Sequence, residues 1–223
     1  MNNINKIQDI TLQQFDLLIK ELPWIERYGG TLFLGKHYAK NNILMLGINP
    51  GIDAELPLDV DLRAENCLMM QPDPPTKIRY WNNASIAFNA TSELSQKMND
   101  ATFSFCSPFR TPRWSQSSKQ EKDIIMECSK PVFSQLIKDC KPEVIIVAGQ
   151  TSINILYGYY SNIITSIIEI EGTATRFDRS HNWAEYSAEI AHNPIKIIRS
   201  PHFSIANNHE KLWQFGVWLS EKV

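Results

Sequence analysis

Two short apolar runs, Ile43–Ile48 ("ILMLGI") and Val144–Ala148 ("VIIVA"), most constrain what this chain can fold into. Each is too short for an amphipathic helix and has no polar residue to turn towards water. Each therefore reads as a strand buried on both faces. Such strands need helices above and below them, and the remaining sequence offers helical patterns in alternation with strands. Leu12–Leu22 is a first helix. Tyr80–Met98 recovers helical spacing through Ile86, Leu94 and Met98. Cys128–Cys140 places Val132, Phe133, Leu136, Ile137 and Cys140 on one face, with Pro131 near its start. A helix opens at Gln150-Thr151-Ser152, and a last one runs from Asn208 to Leu219 with Leu212, Phe215 and Leu219 inward. The segment "ATFSF", Ile167–Ile170 and Ile195–Ile198 are further strand candidates. The fold class expected is a three-layer α/β/α sandwich around a central, mainly parallel sheet.

The 223 residues suit one domain, with residues 1–40 as a helical lead-in and Asp53–Lys77 as a loop. No repeat, low-complexity tract or linker interrupts it. No stretch approaches the roughly 18 apolar residues of a membrane span, and the opening residues lack the basic start and apolar run of a signal peptide. A cytoplasmic monomer with no membrane partner is expected. The matches to the glycosylation pattern at Asn83 and Asn89 carry no weight without a secretion signal. Cys67, Cys106, Cys128 and Cys140 form no Cys-x-x-Cys pair and suit neither zinc nor a disulfide framework, so reduced thiols and no metal are expected. A net charge of −2 exerts no global pull on nucleic acid, so any such binding needs a local basic surface and backbone amides.

In open parallel sheets the ligand sits beyond the carboxyl ends of the strands. Three segments answer to that position: Gly47–Gly51 ("GINPG"), Phe105–Trp114 ("FCSPFRTPRW") and Ser200–Asn208 ("SPHFSIANN"). A plain turn explains Asn49 and Pro50 as well as a functional site does. "GINPG" is no phosphate loop, since it lacks the Lys-Ser/Thr of one type and the G-x-G-x-x-G spacing of the other. Arg110, Arg113 and Lys119 make a basic cluster suited to phosphate or to an ordinary solvated loop. Gln150 and Thr151, at a helix start, suit a phosphate or a simple cap.

Taken in order over about residues 43–222, these segments resemble the uracil-DNA glycosylase superfamily. "GINPG" is similar to the first motif of its mismatch-specific and single-strand-selective members. "FCSPFRTPRW", the helix through "KPVFSQLIKDC" and "PEVIIVAGQTSINIL" resemble its middle section, and "RSPHFSIANNHEKLW" takes the place of its second motif. The resemblance implies a hydrolase that flips a base out of DNA and cleaves its bond to the sugar through an oxocarbenium-like state. It makes Asn49 the residue that positions the attacking water, with Pro50 and Gly51 holding the turn and Gly47 and Ile48 beside it. Tyr80 or Trp81 is implied as an aromatic lid over the base, with Phe88 a third candidate.

The family's second motif is His-Pro-Ser-Pro or Asn-Pro-Ser-Gly, then an apolar wedge and Ser. Pro201 aligns with its proline, which puts Ser200 where the histidine stands. With one residue deleted, Phe203 is the wedge and Ser204 the serine. His202, two positions on, serves either as a donor to the departing base or as a loop cap. The family's base-reading Asn has no counterpart, and Thr102, Ser104 and Ser107 are the nearest polar side chains. The four-cysteine iron–sulfur site of some members is not implied either, since no cysteine pair precedes Cys67. No cofactor is needed. DNA carrying uracil or a related damaged base is the expected partner. The rivals are a glycosylase-like protein that binds nucleic acid or a nucleotide without cleaving it, and an unrelated α/β enzyme acting on a small nucleotide-like molecule.

Overall fold

A computed structural model describes residues 3–33, 38–39, 42–48, 60–63, 79–111, 114–173 and 182–223. Its helices are α1 (Asn3–Glu21), α2 (Arg79–Phe88), α3 (Ser92–Asn99), α4 (Lys119–Cys140), α5 (Gly149–Tyr159) and α6 (His209–Ser220). Its strands are β1 (Gly30–Phe33), β2 (Ile43–Gly47), β3 (Val60–Arg63), β4 (Thr102–Phe105), β5 (Val144–Ala148), β6 (Ile164–Gly172), β7 (Ala184–Ile190) and β8 (Asn193–Ser200). Six strands form the central sheet in the order β4-β2-β5-β8-β7-β6, and β1 pairs with β3 apart from it. The ladders β4-β2, β2-β5 and β5-β8 are parallel, and β7 and β6 add an antiparallel flank.

The two apolar runs are the centre of this sheet, buried along their whole length. On one face Leu44, Leu46, Ile145, Val147 and Ile197 meet Met126, Phe133 and Leu136 of α4 and Ile153 and Leu156 of α5. On the other, Met45, Phe103, Ile146 and Ile198 meet Ala84 and Phe88 of α2, Leu94 of α3 and Leu212, Phe215 and Leu219 of α6. That is the three-layer arrangement expected. α1 covers α4 from outside through Phe15 and Leu18, with Leu22 just beyond its end, packed against Ile125. No helix among the described residues is long and apolar enough to cross a membrane.

Four local expectations are corrected. The helix expected to begin near Cys128 begins at Lys119, because Ser118 and Glu121 close a capping box, so Pro131 lies inside it. The single helix over Tyr80–Met98 is two, since the Thr91 side chain accepts from the Leu94 N–H and starts a new helix there. Within the expected 53–77 loop, Val60–Arg63 is a strand on β1. Ala184–Ile190 is a strand that periodicity did not reveal: two of its three fully inward residues are alanines.

Candidate functional site

The four parallel strands end on one row. The ladder pairs Gly47 with Phe105 and Ala148 with Ser200, and Leu46 opposite Val147 joins the two halves one residue earlier. From β2 the chain crosses to β4 on one side, and from β5 it passes to β8 on the other. The crevice where the direction reverses lies between the ends of β2 and β5, where such sheets bind ligands.

The loop after β8 reaches the neighbouring end of β5. His202 packs against the bare Cα of Gly149, the first residue of α5, whose φ of +73° is a backbone state that favours glycine. Its Nδ1 is enclosed and has no hydrogen-bond partner. Burial lowers the imidazole's pKa below the usual histidine value, so the ring is neutral near pH 7. A neutral imidazole carries one N–H donor and one acceptor, and the protein satisfies neither role at Nδ1.

The loop is held from below. Asn83 of α2, 3% exposed, donates from Nδ2 to the Phe203 carbonyl at 2.6 Å and to the Ala206 carbonyl at 2.7 Å. Phe203 is fully buried, with edge-on contacts to Tyr80 and Phe88 at 5.6 Å each. Its expected part as a projecting wedge is therefore corrected: the aromatic side chain finds a ready pocket between α2 and α6 and anchors the loop. Ile205, 57% exposed, is the apolar side chain at the loop's tip, and Ser204 beside it is exposed. Ser200 is buried, with its hydroxyl bonded to the Pro201 carbonyl at 3.0 Å.

The loop after β4 is strapped to the neighbouring chain. Cys106 N–H donates to the Gly47 carbonyl and Ser107 N–H to the Ile48 carbonyl, continuing the ladder past the strand ends. Arg110 N–H donates to Gly29, and Phe109 bridges Gly30. Arg110 is 3% exposed as a result, so its expected place on a solvated phosphate-binding surface is corrected. Gln150 is exposed but engaged, accepting from Arg199 Nη1 and donating to Asn154 Oδ1 at 2.8 Å. Thr151 is partly exposed at the start of α5.

Ile48 is part of the wall, packed against the α4/α5 face of the core. Tyr80 is partly buried on the α2/α6 face, and Ser104 is 4% exposed within β4. Asn49, Pro50 and Gly51, the side chain of Trp81 and the whole of Arg113 lie outside the described residues. Asn49 is the second residue after the end of β2. Sequence reasoning missed Asn83, read there only as a glycosylation match, and Phe105, whose ring lies against Gly47. A Cβ on Gly47 would stand 2.8 Å from that ring.

A cleft of about 950 Å³ opens at the opposite ends of the parallel strands, beside Ile43, Val144 and Lys196. Its basic side chains are engaged with carboxylates: Lys222 with Glu185 at 2.9 Å and with Glu171 at 2.7 Å, and Lys97 with Glu93 at 2.9 Å. At the other end of the strands the enclosed Nδ1 of His202 has no partner. Among the described residues no three His, Cys, Asp or Glu side chains gather as metal ligands. No protein-family model matches the chain, and none of the curated proteins is significantly similar to it.

Proposed function

We propose that this protein is a DNA glycosylase that hydrolyses the bond between deoxyribose and uracil or a related damaged base. The observation that carries the reading is His202, neutral and unpartnered at Nδ1, packed against Gly149 at the carboxyl ends of the parallel strands. In the reaction the base-to-sugar bond breaks with both electrons leaving on the base. Water adds to the anomeric carbon, and its proton passes to solvent or to the departing base. Asn49 positions that water; an amide cannot act as a strong base, so orientation is its contribution. His202 donates to the negative charge growing on the base, a task in which one donor is worth about 10²- to 10³-fold in rate.

The geometry supports a register of the second motif unlike the one that aligns Pro201. With His202 on the motif's histidine, Phe203 stands for its first proline, Ser204 falls on the serine at its third position and Ile205 on its fourth, one residue before the wedge. Ile205, exposed at the loop's tip, is the apolar side chain placed to enter the gap left by the flipped base. The partner is DNA, and no cofactor enters the chemistry.

The test is single-turnover cleavage of labelled oligonucleotides containing U:A, U:G, single-stranded U, hypoxanthine or xanthine, followed by alkali. Abasic product from wild type, lost in Asn49→Ala and reduced about 10²-fold or more in His202→Gln, is expected. No product from any substrate at enzyme excess would overturn the reading and favour a protein that binds nucleic acid or a nucleotide without cleaving it.

A further inference from the structure

We infer that Phe105 sets base selectivity at this site, offering a ring on which the base stacks where a hydrogen-bonding side chain would otherwise read its edge. The inference deepens the glycosylase reading and rests on it. Phe105 ends β4 beside Gly47, partly exposed, with its ring against the Gly47 Cα. Its neighbour Phe103, 1% exposed, lies edge-on to it at 5.2 Å on the core side. Gly47 is what lets the ring lie across the end of β2, since any side chain there would collide with it.

The polar side chains nearby are turned away or occupied. Phe103 and Phe105 share the α2/α6 face, so Thr102 and Ser104 project to the other face by strand alternation. Thr102 Oγ1 accepts from the Ala39 N–H at 3.1 Å. Ser107, fully buried, accepts from the Phe109 N–H and bonds Ser129 Oγ at 2.9 Å. The Cys106 carbonyl accepts from the Tyr160 hydroxyl. Among the described residues the end of β4 therefore presents an aromatic surface and no base-edge reader. Stacking tolerates any base, because every base has a π-face, whereas a site built on hydrogen bonds rejects analogues that cannot make them.

The experiment measures single-turnover cleavage of uracil, hypoxanthine and xanthine in one sequence context, with wild type, Phe105→Leu, Phe105→Asn and Phe103→Leu. In parallel, the fluorescence of an oligonucleotide carrying 2-aminopurine is followed on binding. Wild type is expected to cleave the three bases with rates within about tenfold of one another. Phe105→Leu should slow all of them together by about tenfold and abolish the quenching of 2-aminopurine. Phe105→Asn should spread the rates apart. Phe103→Leu, which alters the core behind the ring, should lower thermal stability but keep the quenching.

Cleavage by wild type with rates unchanged in both Phe105 variants would overturn the inference while leaving the glycosylase reading intact. Strong preference of wild type for one base, beyond about 10³-fold, would overturn it too. No cleavage, with quenching that depends on Phe105, would sink the glycosylase reading and keep the stacking site. No cleavage and no such quenching would sink both.

Discussion

A Cβ atom on Gly149 would stand 2.9 Å from Cδ2 of His202. The two residues come from different strand ends, β5 and β8, and their contact sets the position of the imidazole there. Gly149→Ala meets two penalties at once: a left-handed φ of +73° and an imidazole that must tilt away. A loss of about 1–3 kcal/mol is expected, with cleavage reduced beyond what the fraction folded accounts for. Gly158→Ala in the same helix, where a Cβ meets nothing within 4 Å, should be neutral or raise stability by up to ~1 kcal/mol. Thermal melts and single-turnover rates of the two variants check the contrast.

The Asn83 amide is a latch on the same loop from the other layer. Asn83→Leu keeps the volume but leaves the carbonyls of Phe203 and Ala206 without their donor in a buried setting. An unsatisfied buried group costs about 1–3 kcal/mol, so a loss of about 2–4 kcal/mol is expected for the pair. Hydrogen exchange should rise first at 203–206, before the central strands open. Equal protection there in variant and wild type would show that Phe203 packing alone holds the loop.

The pH dependence has a definite sign. Burial lowers the pKa of His202 in the folded protein below its unfolded value near 6.5. As pH falls through that unfolded value, the unfolded chain takes up a proton that the native chain resists, and stability declines. The contribution is fully present above pH 7. His202→Gln removes it, so the difference in stability between pH 7 and pH 5 should be smaller in the variant than in wild type. Urea titrations at both pH values measure it.

How much of this was legible in the sequence follows from what each signal encodes. Ile43–Ile48 and Val144–Ala148 announced buried strands because a continuous apolar run has no solvated alternative. Ala184–Ile190 stayed hidden because Ala184 and Ala188, both buried, carry little apolar weight around Tyr186. Ser118 and Glu121 did spell the start of α4, and the apolar face beginning at Val132 drew the boundary too late. At the site, the strand ends fixed which loops meet. They did not fix how the 200–206 loop folds back, and Phe203 and Arg110 went inside through partners remote in sequence. Phe105 was passed over because one more aromatic on a strand looks like core until Gly47 is seen beneath it.

At Gly216 α6 lies close against Ala87 of α2, the helix that also carries Asn83. A Cβ there would stand 1.9 Å from the Ala87 carbonyl oxygen and 2.6 Å from the Ala90 Cβ. The first contact is with backbone, which cannot rotate aside, so Gly216→Ala must push the helices apart. Overpacking of this kind costs about 1–3 kcal/mol, against which the better helix propensity of alanine returns up to ~1 kcal/mol. Ala90→Gly relieves only the second contact, so in the double variant it should recover only part of the loss. Because α2 also carries Asn83, separating it from α6 pulls on the carbonyls that position His202. Gly216→Ala should therefore lower both the melting temperature and, under conditions where the protein is fully folded, the rate of cleavage. A variant that melts lower but cleaves at the wild-type rate would show that the latch tolerates the displacement and that α2 moves as a unit with the loop.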